Sequence, residues 1–262
     1  MAFRAFTALH SGTTNQVASI SGTVPAACVA GDVLIIASQH SSGSSTATVA
    51  NSGPTAPSLV SGPQQVTGNN DTSYAWLLPL SAGDLGATVT IAASAGGYFD
   101  GLLLAMSGVQ ATGMVAAESQ VNAAVSTLTT PTVTTPVDNC EIVTIAALRS
   151  ASATTPVVTV AGTQTKDGAA TTGAASSSPS FSITAAHRTT VGAAGTYGGS
   201  TWTVNTPVTG VLFTVALQPT ATAGTDVGFM AYYADAAGTM HRCDVFYADG
   251  SGTKVQVSSK TS

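Results

Sequence analysis

Threonine and valine alternate along much of this 262-residue chain, and the alternation constrains its fold more than any other feature. The segments 87–92 (Ala-Thr-Val-Thr-Ile-Ala) and 156–161 (Pro-Val-Val-Thr-Val-Ala) are examples. A two-residue period of β-branched side chains fits a pleated strand with one buried face. Clusters of Gly, Pro, Asn and Ser separate these runs, which is typical of short strands joined by turns. Although the many alanines alone would favour helices, the pattern predicts an all-β sandwich or barrel.

Two further patterns refine this prediction. Residues 32–38 (Asp-Val-Leu-Ile-Ile-Ala-Ser) form an almost continuous apolar run, which indicates a central strand that is covered on both faces. Val121, Val125 and Leu128 recur at helical spacing, so a helix stays open in that segment. The Thr- and Pro-rich stretch 129–136 that follows favours an extended conformation instead.

The composition excludes several classes of protein. Only 7% of the residues are charged, against about 25% in ordinary domains, and the net charge is −5. Coiled coils need charged outer faces and nucleic-acid-binding modules need a basic surface, so neither class fits. The longest apolar runs, 33–37 and 102–106, are far shorter than the roughly 18 residues that span a bilayer. We therefore expect no nucleic-acid partner and no membrane insertion, and the first residues predict no secretory signal.

Residues 1–219 are predicted to form a jelly-roll-like β-sandwich with an internal pseudo-repeat. A jelly roll consists of two interlocked Greek keys, so each half of the repeat would supply an equivalent set of strands. Two pairs of segments resemble each other at nearly equal offsets of 109 and 112 residues: 31–38 with 140–147, and 82–90 with 194–202.

A second unit is predicted after a small-residue linker at 220–225. Residues 226–262 contain a local repeat in which Tyr-Ala-Asp leads into a glycine turn, and this predicts a β-meander with strands at 228–234, 240–248 and 253–258. A module of so few residues buries too little surface to be stable alone. We therefore expect it to anchor the protein or to hold an oligomer together. Its candidate contact residues are aromatic: Phe229, Tyr232, Tyr233, Phe246 and Tyr247.

We find no catalytic motif in the sequence: it has no nucleophile elbow, no phosphate-binding loop and no His-Glu-x-x-His zinc motif. The four histidines are far apart, and most aspartates lie in turn contexts that explain them without chemistry. A hydrolase on this scaffold would need a facing pair of carboxylates, and Glu118 and Glu141 are the only glutamates. We therefore expect no enzyme, no catalytic residues and no cofactor.

Calcium and disulfides receive little support from the sequence. The segments 69–71 (Asn-Asn-Asp) and 249–252 (Asp-Gly-Ser-Gly) contain oxygen ligands, but turn formation explains both, and no metal site is predicted. Cys28, Cys140 and Cys243 are too scattered for a disulfide framework, so buried free thiols are expected. Because Cys28 and Cys140 precede equivalent strands of the pseudo-repeat, a bridge between them stays open.

Aromatic residues make up only 6% of the chain, so their positions carry information. Trp76 lies two residues after Tyr74 on a strand-like run, and Trp202 occupies the equivalent region of the second half. Tryptophans on sandwich strands are expected in the core, and the alternative is a flat platform that stacks on sugar rings. Four residues are candidates for a glycan-facing role: Tyr98, Phe99, Tyr197 and Trp202.

Five segments together resemble a known family. They are 30–36 (Ala-Gly-Asp-Val-Leu-Ile-Ile), 74–84 (Tyr-Ala-Trp-Leu-Leu-Pro-Leu-Ser-Ala-Gly-Asp), 87–91 (Ala-Thr-Val-Thr-Ile), 102–109 (Leu-Leu-Leu-Ala-Met-Ser-Gly-Val) and 214–219 (Thr-Val-Ala-Leu-Gln-Pro). The series is similar to jelly-roll virion proteins of tailed bacteriophages, especially minor tail, fibre and head-decoration proteins. The resemblance covers residues 28–219, and residues 226–262 match nothing that we can name. It implies a structural or host-contact part of the virion, commonly a trimer.

The low charge agrees with that implication. A surface of Ser, Thr, Ala and Gly costs little free energy to desolvate, and its short side chains lose little entropy when the surface packs against identical copies. We therefore expect a homotrimer on the surface of a phage particle assembled in the host cytoplasm, in contact with other virion proteins and with host surface glycans. The alternative is a carbohydrate-binding module of a cell-surface or secreted protein, which would require exposed aromatic side chains.

Overall fold

The structure, a computed structural model, describes residues 2–10, 16–41, 46–66, 71–112, 114–172 and 179–220, and the strands 231–234, 240–243, 246–248 and 254–256. The chain divides into two units, Met1–Pro219 and Thr220–Ser262. Strands account for most of the described residues, which contain no α-helix and one short 3-10 turn, Ala82–Asp84. The predicted all-β class is confirmed.

Eight strands make up the first half of the larger unit. They are β1 (Ala2–His10), β2 (Val17–Thr23), β3 (Val33–His40), β4 (Ala47–Asn51), β5 (Ser58–Gln65), β6 (Thr72–Pro79), β7 (Thr88–Gly97) and β8 (Phe99–Ser107). They form a large antiparallel sheet in the order β1-β8-β3-β6-β5 and a small sheet in the order β2-β7-β4. This is the strand order of a jelly roll, except that β5 pairs with β6 and does not extend the small sheet beyond β4.

The second half of the larger unit also contains eight strands. They are β9 (Val115–Thr129), β10 (Val133–Thr134), β11 (Cys140–Ser150), β12 (Val158–Thr159), β13 (Thr165–Thr172), β14 (Ser180–Val191), β15 (Thr196–Tyr197) and β16 (Thr201–Leu217). The large sheet has the order β9-β16-β11-β14-β13, while β12 pairs with the first part of β16 and β10 pairs with β15. Each strand in this order corresponds in sequence to the strand at the same position in the first half, so the large sheets of the two halves have the same topology.

The repeat unit is therefore larger than the sequence suggested. Each half has the strands of a whole jelly roll, whereas we expected one jelly roll over residues 1–219. The pattern of alternation did not indicate two of the strands, β5 and β13. The residues of β5 (Ser-Leu-Val-Ser-Gly-Pro-Gln-Gln) and of β13 (Thr-Lys-Asp-Gly-Ala-Ala-Thr-Thr) contain Gly, Pro or charges that interrupt the alternation.

The two large sheets pack face to face, with corresponding side chains in their common core. Val33 on β3 is paired with Met106 on β8, and Val143 on β11 is paired with Val215 on β16. All four side chains belong to one central cluster. At the sheet edges β1 contacts β13, and β5 contacts β9. Because β1 corresponds to β9 and β5 corresponds to β13, exchanging the two halves converts one contact into the other. The halves are thus arranged about an approximate two-fold axis, like the subunits of a symmetric dimer.

The sequence alignment of the repeat is shifted by one residue from the structural one. It sets Ile36 against Ile145, but Ile145 lies in the central core whereas Ile36 lies in the outer core of the first half. The residue that corresponds to Val33 by pairing and by face is Val143. Because both strands are buried on both faces, their apolar residues do not reveal which face points to the centre.

The outward faces of the two large sheets are covered as well. In the first half, Leu34 of the large sheet and Ile91 of the small sheet share an outer core. In the second half, Leu148 packs with Leu128 and Trp202, which lie at the end of β9 and the start of β16. The central strand β3 is consequently buried at every residue, as its apolar run predicted.

The segment for which a helix stayed open is extended, so the favoured prediction is confirmed. Val121, Val125 and Leu128 all lie on the long strand β9, which pairs with β16. Its partner β16 is also long and runs over Thr201–Leu217.

Asp84 organises the turn that precedes β7. Its carboxylate accepts hydrogen bonds from the backbone N–H groups of Ser81 (2.8 Å) and Thr55 (3.1 Å), from both hydroxyls (2.5 Å each) and from the amide of Asn51 (2.6 Å). Burial would raise the pKa of Asp84, but the hydrogen bonds from Ser81 and Thr55 outweigh it and hold that pKa well below its ordinary range. The carboxylate therefore joins the loop after β4 to the 3-10 turn.

The C-terminal unit contains four described strands: β17 (Ala231–Ala234), β18 (Met240–Cys243), β19 (Phe246–Ala248) and β20 (Lys254–Gln256). They form two separate two-stranded antiparallel sheets, β17-β18 and β19-β20, so the predicted middle strand 240–248 is divided into two. Tyr232 and Tyr233 lie on β17, and Phe246 and Tyr247 lie on β19. Phe229 and most of the predicted linker lie outside the described residues.

Candidate functional site

Phe99 and Trp202 lie in the core, so the prediction that they face a glycan is wrong. Both side chains are 0% exposed, and Trp76 is only 5% exposed. Phe99 packs against the ring of His40, with centroids 4.8 Å apart. The indole Nε1–H of Trp202 donates to Oε1 of Gln164 at 2.5 Å, which satisfies its polar atom within the core. A ring enclosed in this way offers no face to a sugar.

Tyr98 and Tyr197 are partly exposed, but protein groups contact their rings. The ring of Tyr98 lies 5.9 Å from that of Phe181. The guanidinium carbon of Arg188 lies 5.4 Å from the centre of the Tyr197 ring, and the hydroxyl of Tyr197 donates to the carbonyl of Ala193 at 2.5 Å. The two rings belong to different jelly rolls, and the four candidates do not form a common aromatic platform.

Cys28 and Cys140 are buried free thiols, so the bridge left open between them does not form. Burial raises the pKa of Cys28 to about 11, and the neighbouring carboxylate of Asp32 adds to the effect. Burial also raises the pKa of Cys140, whose Sγ donates to the carbonyl of Val137 at 3.3 Å. Both thiols are therefore protonated at neutral pH, which makes them poor nucleophiles. The side chain of Cys243 lies outside the described residues.

The candidate calcium segments fall largely outside the described residues. This holds for Asn69, Asn70 and the loop 249–252. Asp71 is described, and its partner is the guanidinium of Arg149. In the part of the chain that the structure describes, no group of three or more His, Cys, Asp or Glu side chains is arranged to hold a metal ion.

Two buried carboxylates fix strands of the large sheets. Arg4 on β1 donates through Nε to Oδ2 of Asp32 at 2.6 Å, immediately before β3. Asp167 lies at a register shift in β13 and contacts Nδ1 of His187 on β14 at 2.5 Å. Burial raises the pKa of Asp167, and its hydrogen bond with His187 opposes the change. Both pairs hold neighbouring parts of the chain together.

A third ion pair joins the two jelly rolls. Arg149, near the end of β11, donates through Nη1 to Oδ2 of Asp71, which precedes β6, at 3.3 Å. The Asp71 side chain is 3% exposed and that of Arg149 is 25% exposed. Burial raises the pKa of Asp71 to about 6, although Arg149 acts to lower it. Among the described residues, Oδ1 of Asp71 has no hydrogen-bond partner.

A small cavity lies beside this pair, next to an interruption of the ladder between β16 and β9. Pro207 has no N–H group to donate, and the register shifts on both sides of Val208. The cavity has a volume of about 100 Å³ and is lined by Ala124, Arg149, Ala151, Pro207 and Thr209. Its lining combines small, largely apolar side chains with one arginine, which suits the binding of a small anion.

Sequence reasoning missed Arg149, although one signal pointed to it. The chain has only seven Lys and Arg residues, and Arg149 follows the apolar run of β11 almost directly. A cation at the end of a buried strand needs a partner or a solvent-filled space. The residues that supply both, Asp71 and Pro207, are distant in sequence and could not be identified from it.

No family model, no curated protein and no solved structure matches the chain. Within the described residues, no helix is long and apolar enough to cross a membrane.

Proposed function

We propose that the chain is a structural protein of the virion of a tailed bacteriophage, a minor tail, fibre or head-decoration component on the particle surface. The observation that carries this proposal is the back-to-back arrangement of two jelly rolls through their large sheets. Three superposed cores make a stiff block, because strands buried on both faces resist bending. Such a block is suited to bearing load and to presenting its outer sheets to neighbours.

The edges of the small sheet support self-association. Each edge strand of the large sheets carries a feature that opposes pairing with another chain: Arg4 on β1, Pro63 on β5, Glu118 on β9 and Lys166 on β13. In the described structure, β2 and β4 each pair only with β7, and neither contains a charged residue or a proline. Unprotected edges of this kind favour contact between identical copies, in agreement with the proposed homotrimer.

Labelling of intact particles tests the proposed function. Antibodies raised against the purified chain are expected to label particles of the phage that encodes it, and mass spectrometry of those purified particles should detect the chain. Particles that contain no copies would overturn the proposal.

Lysine substitutions test the self-association surface. Thr48 and Ala50 are exposed on β4, and replacing both by Lys is expected to convert the trimer into monomers, measured by native mass spectrometry. Ala116→Lys is the matched control, because Ala116 is exposed on β9, which already carries a charge. Trimers that persist in the β4 variant, or a wild-type chain that is monomeric, would exclude the small sheet as the contact.

A further inference from the structure

The cavity beside Arg149 presents unused hydrogen-bond donors. A guanidinium has five N–H donors, and the Asp71 carboxylate is the one acceptor that the described structure gives Arg149. A quarter of the Arg149 side chain is exposed, and the cavity lies against it. The remaining donors are therefore available to an acceptor that enters from solvent, and the fork geometry of guanidinium matches a carboxylate or a phosphate.

The size of the cavity limits what can enter. One water molecule occupies about 30 Å³ of liquid, while pockets that enclose whole ligands measure about 300 Å³ or more. A cavity of about 100 Å³ therefore accepts one functional group with its attached carbon. Because Ala124, Ala151 and Pro207 are exposed at its rim, the rest of the ligand would lie on the protein surface.

The charge of the site distinguishes between anions. Arg149 supplies one positive charge, and Asp71 beside it cancels that charge when ionised. Phosphate monoesters carry nearly two negative charges at neutral pH and are usually bound by several cations or by a helix N-terminus. A singly charged carboxylate fits a site with one guanidinium, with small apolar side chains to contact its carbon.

We propose that this cavity binds the carboxylate group of an acidic sugar, with Arg149 as the anion-binding residue and Thr209 at the rim. The choice of a sugar rests on the proposed function, because a protein on the surface of a phage particle meets the glycans of the host-cell surface. Binding to isolated sugars does not depend on the particle. The experiment below therefore tests the site separately from the labelling of virions.

Ligand-observed NMR on the full chain tests the proposal with glucuronate, glucose, inorganic phosphate and a short acidic peptide. Glucuronate is expected to bind about tenfold or more tightly than glucose, which lacks the charge. Arg149→Ala is expected to abolish the difference, and Arg149→Lys to weaken glucuronate about tenfold because the planar fork is lost. Asp71→Asn removes a competing negative charge and is expected to strengthen binding about threefold to tenfold.

Two further variants keep the result interpretable. Ala124→Leu fills the exposed rim without touching the ion pair, and it is expected to block binding even if Arg149→Ala fails to fold. Arg188→Ala removes a guanidinium that lies over a tyrosine ring and is expected to leave binding unchanged. Equal affinity for glucuronate and glucose, unchanged binding in Ala124→Leu, or tighter binding of phosphate or of the peptide would each overturn the assignment.

Discussion

Replacing Asp71 by Asn is expected to stabilise the protein at neutral pH. Burial raises the pKa of Asp71 from 3.8 to about 6. One pKa unit corresponds to about 1.4 kcal/mol, so the ionised carboxylate lowers the free energy of unfolding by about 3 kcal/mol relative to an unperturbed group. Asn has the same shape without the charge. The attraction to Arg149 is already contained in that pKa, so we expect the variant to gain about 1–3 kcal/mol at about pH 7.5.

The sign of the pH dependence follows from the raised pKa. The folded state holds its proton on Asp71 to higher pH than the unfolded state does, so the contribution of Asp71 to wild-type stability falls as pH rises from 3.8 to about 6. The variant lacks this dependence. The difference between the two proteins is therefore expected to be near zero below pH 3.8 and to reach its full value above about pH 6.

Urea denaturation across this pH range measures the difference directly, provided that the slope of each unfolding curve is unchanged. Asp138→Asn is the matched control, because Asp138 is exposed and Asn removes one negative charge while keeping an oxygen that can accept the N–H of Ala194. A variant that is less stable than wild type at neutral pH would show that the pair with Arg149 is net stabilising. A difference that stays flat with pH would refute the burial argument.

Three further predictions concern stability and are measured by the same denaturation assay. Asp84→Ala is expected to lower the free energy of unfolding by about 3–5 kcal/mol above pH 3.8 and by progressively less below it. The hydrogen bonds hold the pKa of Asp84 below its ordinary value because they are stronger to the ionised carboxylate than to the neutral carboxyl group. Trp202→Phe is expected to cost about 1–3 kcal/mol, since it leaves a buried amide oxygen without its donor. Gly198→Ala is expected to cost about 2 kcal/mol or more, because φ is +106° there and an added Cβ would lie 2.2 Å from the carbonyl oxygen of Pro131. Gly192→Ala, where a Cβ meets nothing within 4 Å, is expected to change stability by less than about 0.5 kcal/mol.

The sequence predicted those strands whose residues form a continuous apolar run or a clear alternation of apolar and polar side chains. The strand β3, which begins with five apolar residues, and the alternating strand β7 were identified because burial on one or both faces of a strand determines which residues occur there. Strands β5 and β13 were missed because they are edge strands, where Gly, Pro and charge are tolerated or even useful. The two-fold arrangement of the halves could not be predicted from the sequence. It depends on which face of β3 and of β11 points to the central core, and both faces of these strands are buried.

The site was less predictable than the fold. Trp202 was a candidate for both core and surface roles, and the decision between them rests on Gln164, a distant residue that accepts its N–H. The pair of Arg149 and Asp71 bridges the two jelly rolls, so neither half of the sequence contains the whole site. Local patterns identify elements, whereas a site formed between elements requires their relative position.

The pseudo-symmetry itself indicates where the two halves have diverged. The pairing that matches Val33 with Val143 also matches Gln39 on β3 with Arg149 on β11. Gln39 is 1% exposed, and its amide has no partner among the described residues, whereas Arg149 reaches a cavity and solvent. Packing alone would favour similar residues at two equivalent positions of one core. Arg149 also forms an ion pair with the buried carboxylate of Asp71 in the first half, and taking such a pair out of water makes the departure costly in stability. A departure of this kind is typical of a binding site, where strain is retained because the interaction with a ligand requires it.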